Sequence, residues 1–207
     1  MCKCLSEELP ETLYHGTSSL KNEYISLKDI KKISISRGDP LTDFSQGFYL
    51  TSVYEQSLTY ARRVAKRHNK ISRGIKPIII KYKLNIKTIK DFKGIILSVP
   101  DKKWAEFVYN NRIGDNRYIY SDFHNINKIY DYVYGHVADG KLSKIIEDCK
   151  EDCSQSVDMI ESFREKIYPL FPYNNDQLSL HSECAVRCLE FLEVIEDDKY
   201  NPNYRSR

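Results

Sequence analysis

Three polar side chains stand at the ends or edges of short β-forming segments: His15 in TLYHGT, Tyr49 in GFYLT and Gln177 in NDQLSLH. Imidazole, phenol and carboxamide all hydrogen-bond, and the first two also stack, but the carboxamide has no basic function near neutral pH. Such a set suits the holding and orienting of a ligand. Taken singly, each also fits a plain structural role, since a histidine beside Gly16 suits a turn and a tyrosine in a strand suits a core. Their order and surroundings are what give them weight.

Further candidates lie around them. Glu183, just past the Gln177 segment, is a carboxylate close to it in sequence, and it suits the first turn of a helix. YDYVYGHVADG brings Asp131, Gly135, Asp139 and Gly140 together. Its Gly135 suggests close approach of a ligand or another backbone, and Asp139-Gly140 is first of all a turn signal. His181 shares strand parity with Ser179 and Gln177 and so faces the same side. Arg37 precedes a turn at Gly38-Asp39-Pro40, where it is either a phosphate ligand or surface charge. Asn111 and Arg112 end a helix from which they can reach a cleft, although C-terminal capping also explains Arg112.

The elements that must position these residues follow from local pattern. TLYHGT reads as a strand turning after His15, and GFYLT as a second. Ser52 and Glu55 form an S-x-x-E capping box for a helix running to about Asn69. Val53, Ser57, Leu58, Ala61, Val64 and Ala65 lie on its apolar face, and Arg62, Arg63, Lys66 and Arg67 on the other, followed by Lys70. PIIIKYKL, residues 77 to 84, is the strongest strand, and GIILSV is a strand or a buried apolar loop. Asp101 caps a helix to Arg112. YDYVYGHV is a strand broken at Gly135, and helices follow over 142–149 and 154–167, ending before Pro169 and Pro172. Residues 177–181 form a late strand, 182–189 a helix and 192–195 a final short strand. Strands interleaved irregularly with helices of mixed length give an α+β fold in one domain, 1–207, with its core at about 12–195.

Composition excludes several classes. With 41% hydrophobic and 29% charged residues the chain is globular, and no apolar run spans a bilayer. The start, MCKCLSEELPE, lacks the basic and apolar regions of a signal peptide, so a cytoplasmic protein with no membrane partner is expected. A net charge of +3 does not by itself impose a polyanionic partner. Cys2, Cys4, Cys149, Cys153, Cys184 and Cys188 should stay reduced. The i, i+4 pairs 149/153 and 184/188 lack the short turn-based spacing of structural zinc sites, which leaves burial as their ordinary use.

Two motifs resemble those of the ADP-ribosyltransferase superfamily, in the branch that includes diphtheria toxin and the poly(ADP-ribose) polymerases. Tyr14-His15-Gly16-Thr17 matches its Y/W-H-G-[ST] motif. Phe44-Ser45-Gln46-Gly47-Phe48-Tyr49 matches its Phe-Gly-x-Gly-x-Tyr motif, with Ser45 in place of a glycine. At the place of the superfamily's late acidic residue stands Gln177. More narrowly, LYHGT, DFSQGFYLT, WAEFVYNNR, YDYVYGHVADG and DQLSLHSECAVRCLEF are similar to a family of uncharacterised bacterial proteins assigned to the same superfamily.

This resemblance implies a split β-sheet core with peripheral helices and NAD as the donor substrate. Tyr14, His15, Gly16, Thr17, Gly47, Phe48 and Tyr49, with Asp131 and Gly135, would then bind the cofactor. His15 would hold the adenosine-side ribose, the Gly16 backbone would meet the nicotinamide carboxamide, and Tyr49 would stack on the cationic ring. Gln177, Tyr49, His15 and Glu183 would form the catalytic set, orienting NAD while an oxocarbenium-like centre develops. The expected activity is mono-ADP-ribosyl transfer to a protein or nucleic-acid acceptor. The amide at Gln177 leaves room for a module that binds NAD or ADP-ribose without turnover, and the basic helix face leaves room for nucleic-acid binding. By the same resemblance, the setting would be a toxin, a defence component or a regulator.

Overall fold

The computed structural model of the chain describes residues 5–114, 119–138, 142–152, 159–167 and 175–200. The expectations placed on Cys2, Cys4, Asp139, Gly140, Cys153, residues 154–158, Pro169 and Pro172 lie outside the described residues. The architecture is α+β, built on two sheets.

The apolar run of β3 (Pro77–Leu84) is the centre of the first sheet, flanked by β1 (Thr12–Ser18) and β7 (Leu189–Glu196), both antiparallel to it. β3 leads into a one-turn helix, α2 (Ile86–Ile89), and alternation along the strand divides its side chains. Ile78, Ile80, Tyr82 and Leu84 enter the main core, whereas Ile79 turns to the other face, under Leu58 and Ala61 of α1 (Tyr54–His68). β7 is longer than the 192–195 segment expected. Its glutamates dilute the β signal but pair along the edge, Lys81 with Glu193 and Lys76 with Glu196.

The second sheet has the order β2 (Phe48–Leu50), β6 (Asp176–Leu180), β5 (Tyr132–His136), β4 (Gly94–Leu97), with only the β4–β5 pair parallel. Phe48, Leu50, Tyr132, Tyr134, Leu178 and Leu180 project from one face into the same core as Leu13, Ile78 and Ile80, so the two sheets are packed against each other. The opposite face carries Val133 against Phe44, Trp104, Phe107 and Val108, under α3 (Lys102–Arg112). It also packs against residues from α4 (Leu142–Asp152) and α5 (Met159–Ile167). Asp101 caps α3 as expected, its carboxylate accepting from the Trp104 amide.

Four local expectations are corrected. β1 does not turn after His15: it runs on in register with β3 through Gly16 and Thr17 to Ser18. Ser52 and Glu55 form no capping box: the residue before α1 is Val53, and the Ser52 hydroxyl donates instead to buried Asp176. The helix after Ser182 is only α6 (Glu183–Val186), because Leu189 is already paired with Leu84 in β7. Gly135 does not break β5: it stays in register with Leu97 and Gln177, and a Cβ there would sit 2.9 Å from the Leu97 carbonyl oxygen. The close neighbour is therefore another backbone. Between β1 and β2 the chain forms three 3-10 helices, Leu20–Lys28, Ile30–Lys32 and Ile35–Arg37. Among the described residues no helix is long and apolar enough to cross a membrane.

Candidate functional site

Beyond their shared core, the two sheets are joined among the described residues by one isolated main-chain bridge. The Tyr14 amide donates to the Thr51 carbonyl at 2.8 Å, and the Thr51 amide to the Tyr14 carbonyl at 3.0 Å. Past this bridge β1 and β2 diverge, and a cleft of about 740 Å³ lies beside the split. That volume is within the range of small-molecule sites. His15, Tyr49 and Gln177, distant in sequence, all line it, together with Tyr14, Gly16, Thr17, Gly47 and Phe48.

His15 spans the split. Its Nδ1 lies 2.8 Å from the Tyr49 carbonyl oxygen, and since a carbonyl only accepts, Nδ1 carries the hydrogen. Burial lowers the histidine's pKa, opposed in part by that hydrogen bond, so the ring is neutral at pH 7. Nε2 is then left as an acceptor toward the cleft. The ring also stacks on Phe48, with centroids 4.6 Å apart.

Tyr49 is fixed from its far end. Its hydroxyl donates to the Ser45 carbonyl at 2.7 Å, accepts from the Phe44 amide at 3.1 Å and lies 2.8 Å from Thr42 Oγ1. Burial raises its pKa, the hydrogen bonds with Thr42 and Phe44 oppose the shift and the charge of Asp43 reinforces it, and the phenol stays protonated. The loop that supplies these partners turns at Ser45 with φ 71°, a left-handed conformation that favours glycine. The Ser45 departure from the motif therefore falls on a position whose backbone asks for glycine.

The two motif glycines serve packing. A Cβ on Gly16 would lie 2.4 Å from the Ser57 carbonyl oxygen and 3.1 Å from the Ala61 nitrogen, so this glycine lets α1 lie directly on β1. A Cβ on Gly47 would meet Ser179 Oγ at 2.4 Å and the His181 ring at 2.9 Å.

Gln177 is buried at the inner end of the cleft and belongs to a polar chain. Its Nε2 donates to Asp43 Oδ2 at 2.7 Å and lies 3.4 Å from the His136 carbonyl oxygen. Asp43 also accepts from Arg112 Nε at 2.5 Å and from the Ala138 amide at 2.8 Å. Asp43 opens the DFSQGFYLT phrase, but sequence gives it no role of its own, because an aspartate in LTDF reads as a turn residue. Arg112 does reach the cleft, acting through Asp43 and lining the wall, whereas neighbouring Asn111 is used up bonding the Phe107 carbonyl and the Asn125 amide.

Other expected residues are placed elsewhere. Glu183 is not among the cleft-lining residues: it starts α6 on the surface and pairs with Arg187 at 3.4 Å. Asp131 precedes β5 at the end of the sheet away from Gln177, where its carboxylate accepts from the Lys93 amide at 3.1 Å. Gly135 pairs with Gln177 in the sheet but does not line the cleft. His181 is buried with Nδ1 2.9 Å from the Gln46 carbonyl oxygen, and burial lowers its pKa to about 4.

Asp176, beside Gln177 but on the other strand face, accepts from Thr51 Oγ1, the Ser52 amide and hydroxyl, and the Tyr134 hydroxyl, which ties β6 to the bridge region. Arg37 lines the cleft, as do Lys32 and Arg63, against Glu23, Asp39 and Glu55. On the exposed face of α1, Arg62 is paired with Asp197 at 2.7 Å. Among the described residues no group of three metal-ligating side chains comes together; Cys149 and Cys188 are buried in different cores, and Cys188 donates to the Cys184 carbonyl.

Residues 12–191 match the model of the family described as protein of unknown function DUF3990. The match covers most of the chain and runs from β1 into β7, so the chain belongs to that family. No curated protein and no solved structure matches it.

Proposed function

We propose that the protein is an NAD-dependent mono-ADP-ribosyltransferase with the split-sheet core of that superfamily, binding NAD in the cleft between β1 and β2. One observation carries the reading: His15, Tyr49 and Gln177, the three motif positions, line one cleft at the point where the sheets part. The chemistry of the lining supports it. His15 Nε2 and Gln177 Oε1 are acceptors, suited to the hydroxyls of a dinucleotide's two riboses, and Tyr49 offers a ring held in place before a ligand arrives. Arg37 on the rim is available to the diphosphate. With NAD bound, the protein's work is to orient the nicotinamide ribose and to stabilise the positive charge that develops as nicotinamide leaves. ADP-ribose then passes to a protein or nucleic-acid acceptor.

A second reading is a binding module for NAD or ADP-ribose. It is favoured because, among the described residues, no free base stands beside Gln177: Gln177 is an amide and the Asp43 carboxylate is already bonded to Arg112, Ala138 and Gln177. Incubation with NAD and fractionated cell protein or RNA, followed by assay of free nicotinamide and of ADP-ribosylated product, separates the two. Transfer requires both products, and both should disappear with Tyr49→Ala. Binding of ADP-ribose with no nicotinamide release in any fraction would leave the module.

A further inference from the structure

We propose that Asp43 is a positioning residue that makes Gln177 a one-way hydrogen-bond acceptor for a ligand hydroxyl. A glutamine amide presents donors at one end and an acceptor at the other, and a free amide can turn over. Here both groups facing Nε2, the Asp43 carboxylate and the His136 carbonyl, accept only, so the nitrogen is committed to them and Oε1 is turned away. Among the described residues Oε1 has no hydrogen-bond partner and it is not sealed, and the residue lines the cleft. Asp43 is itself at the cleft wall, but it is 2% exposed and its carboxylate is already engaged, accepting from Arg112 Nε, the Ala138 amide and Gln177 Nε2. Arg112, from the last turn of α3, and the Ala138 amide, from the segment after β5, fix the carboxylate in turn.

The arrangement also gives a reason for an amide at this position. A glutamate at 177 would set a second carboxylate against Asp43, at the place where a 2.7 Å hydrogen bond now stands. The negative charge is carried one hydrogen bond further back, and the group facing the ligand is neutral. This deepens the reading above and rests on it for the ligand, whose matching group is the 2′-hydroxyl of the nicotinamide ribose.

The test uses NAD and its analogue lacking that 2′-hydroxyl, with binding measured by calorimetry for wild type, Gln177→Ala and Asp43→Asn. Hydrogen exchange of the Gln177 side-chain amide is measured without ligand. Wild type should prefer NAD by about tenfold, the worth of one good hydrogen bond, and both variants should lose the preference while still binding the analogue. The Gln177 amide protons should be protected in wild type and exposed in Asp43→Asn. If Asp43→Asn does not fold, the exchange variant Asp43→Asn/Gln177→Glu, which keeps one amide facing one carboxylate, should fold and be more stable than Gln177→Glu alone.

A folded Asp43→Asn that keeps the full preference would overturn the proposal, as would unprotected Gln177 amide protons in wild type or a Gln177→Glu as stable as the exchange variant. If wild type binds neither nucleotide while the amide is protected by Asp43, the positioning stands and NAD is rejected as the ligand.

Discussion

His15 Nδ1 and the Tyr49 carbonyl oxygen lie 2.8 Å apart across the opening between the two sheets, one residue past Tyr14 and two residues from Thr51, the partners of the main-chain bridge. A side chain thus replaces the ladder hydrogen bond that divergence of β1 and β2 removes. The same ring that closes the backbone of the split offers its other nitrogen to the cleft.

Replacing His15 by Ala should therefore do two things. NAD affinity falls by tenfold or more, on the order of one lost hydrogen bond plus the disordering of the split. Unfolding free energy falls by about 1–3 kcal/mol through the lost bond and the lost stacking on Phe48. Calorimetry with NAD and urea denaturation check the two separately.

Gly16→Ala tests the reading that this glycine serves helix packing. The added methyl meets the Ser57 carbonyl oxygen at 2.4 Å, which is backbone and cannot swing away, so α1 must shift. A cost of about 1–3 kcal/mol is expected, read as a lower thermal midpoint. An unchanged midpoint would show that α1 does not rest on β1 at this point.

Ser45→Gly should be stabilising. At φ 71° a non-glycine residue carries a left-handed cost of about 1 kcal/mol, and its replacement should raise the thermal midpoint by about 2–4 °C for a chain of this size. The Tyr49 contact survives, because it is made to the Ser45 backbone carbonyl.

The buried histidines set an acid limit. Burial holds His181 at about 4 in the folded state, against 6.5 when exposed, with the Gln46 carbonyl and Asp131 opposing and Lys128 reinforcing the shift. Between those values the unfolded chain binds the extra proton, so stability is complete above about pH 6.5 and is lost as pH falls toward 4. The loss attributable to this one group is on the order of 3 kcal/mol, and His15 and His136, also lowered by burial, add in the same direction. Urea titrations across that interval should show the decline, and His181→Gln should flatten it.

Much of the fold was readable from sequence because it rests on local patterns. The apolar run of β3, the Asp101 cap and the apolar stripe through Ser57, Leu58, Ala61 and Ala65 each appear in the structure as expected. β7 was shortened because its glutamates are used on an edge, where sheet pairing outweighs propensity. Ser52 departs from the expected cap because its hydroxyl has two available partners, and the long-range one, Asp176, wins.

The site divides in the same way. His15, Tyr49 and Gln177 could be singled out because each sits in a recognisable phrase, whereas Asp43 gains its role only from proximity to Gln177 and Arg112 in three dimensions. Glu183 looks suitable in sequence because it follows the Gln177 strand closely, but the three strand residues Leu178 to Leu180, then His181 and Ser182, carry the chain away from the cleft before it is reached.

The most direct test of the account is one-dimensional proton NMR of NAD with the purified protein, alongside His15→Ala and Tyr49→Ala. The account predicts broadening of the nicotinamide and adenine resonances with wild type, followed by growth of free nicotinamide signals when the acceptor is supplied, and neither effect with the two variants. NAD lines that stay sharp in the presence of folded wild-type protein would contradict it.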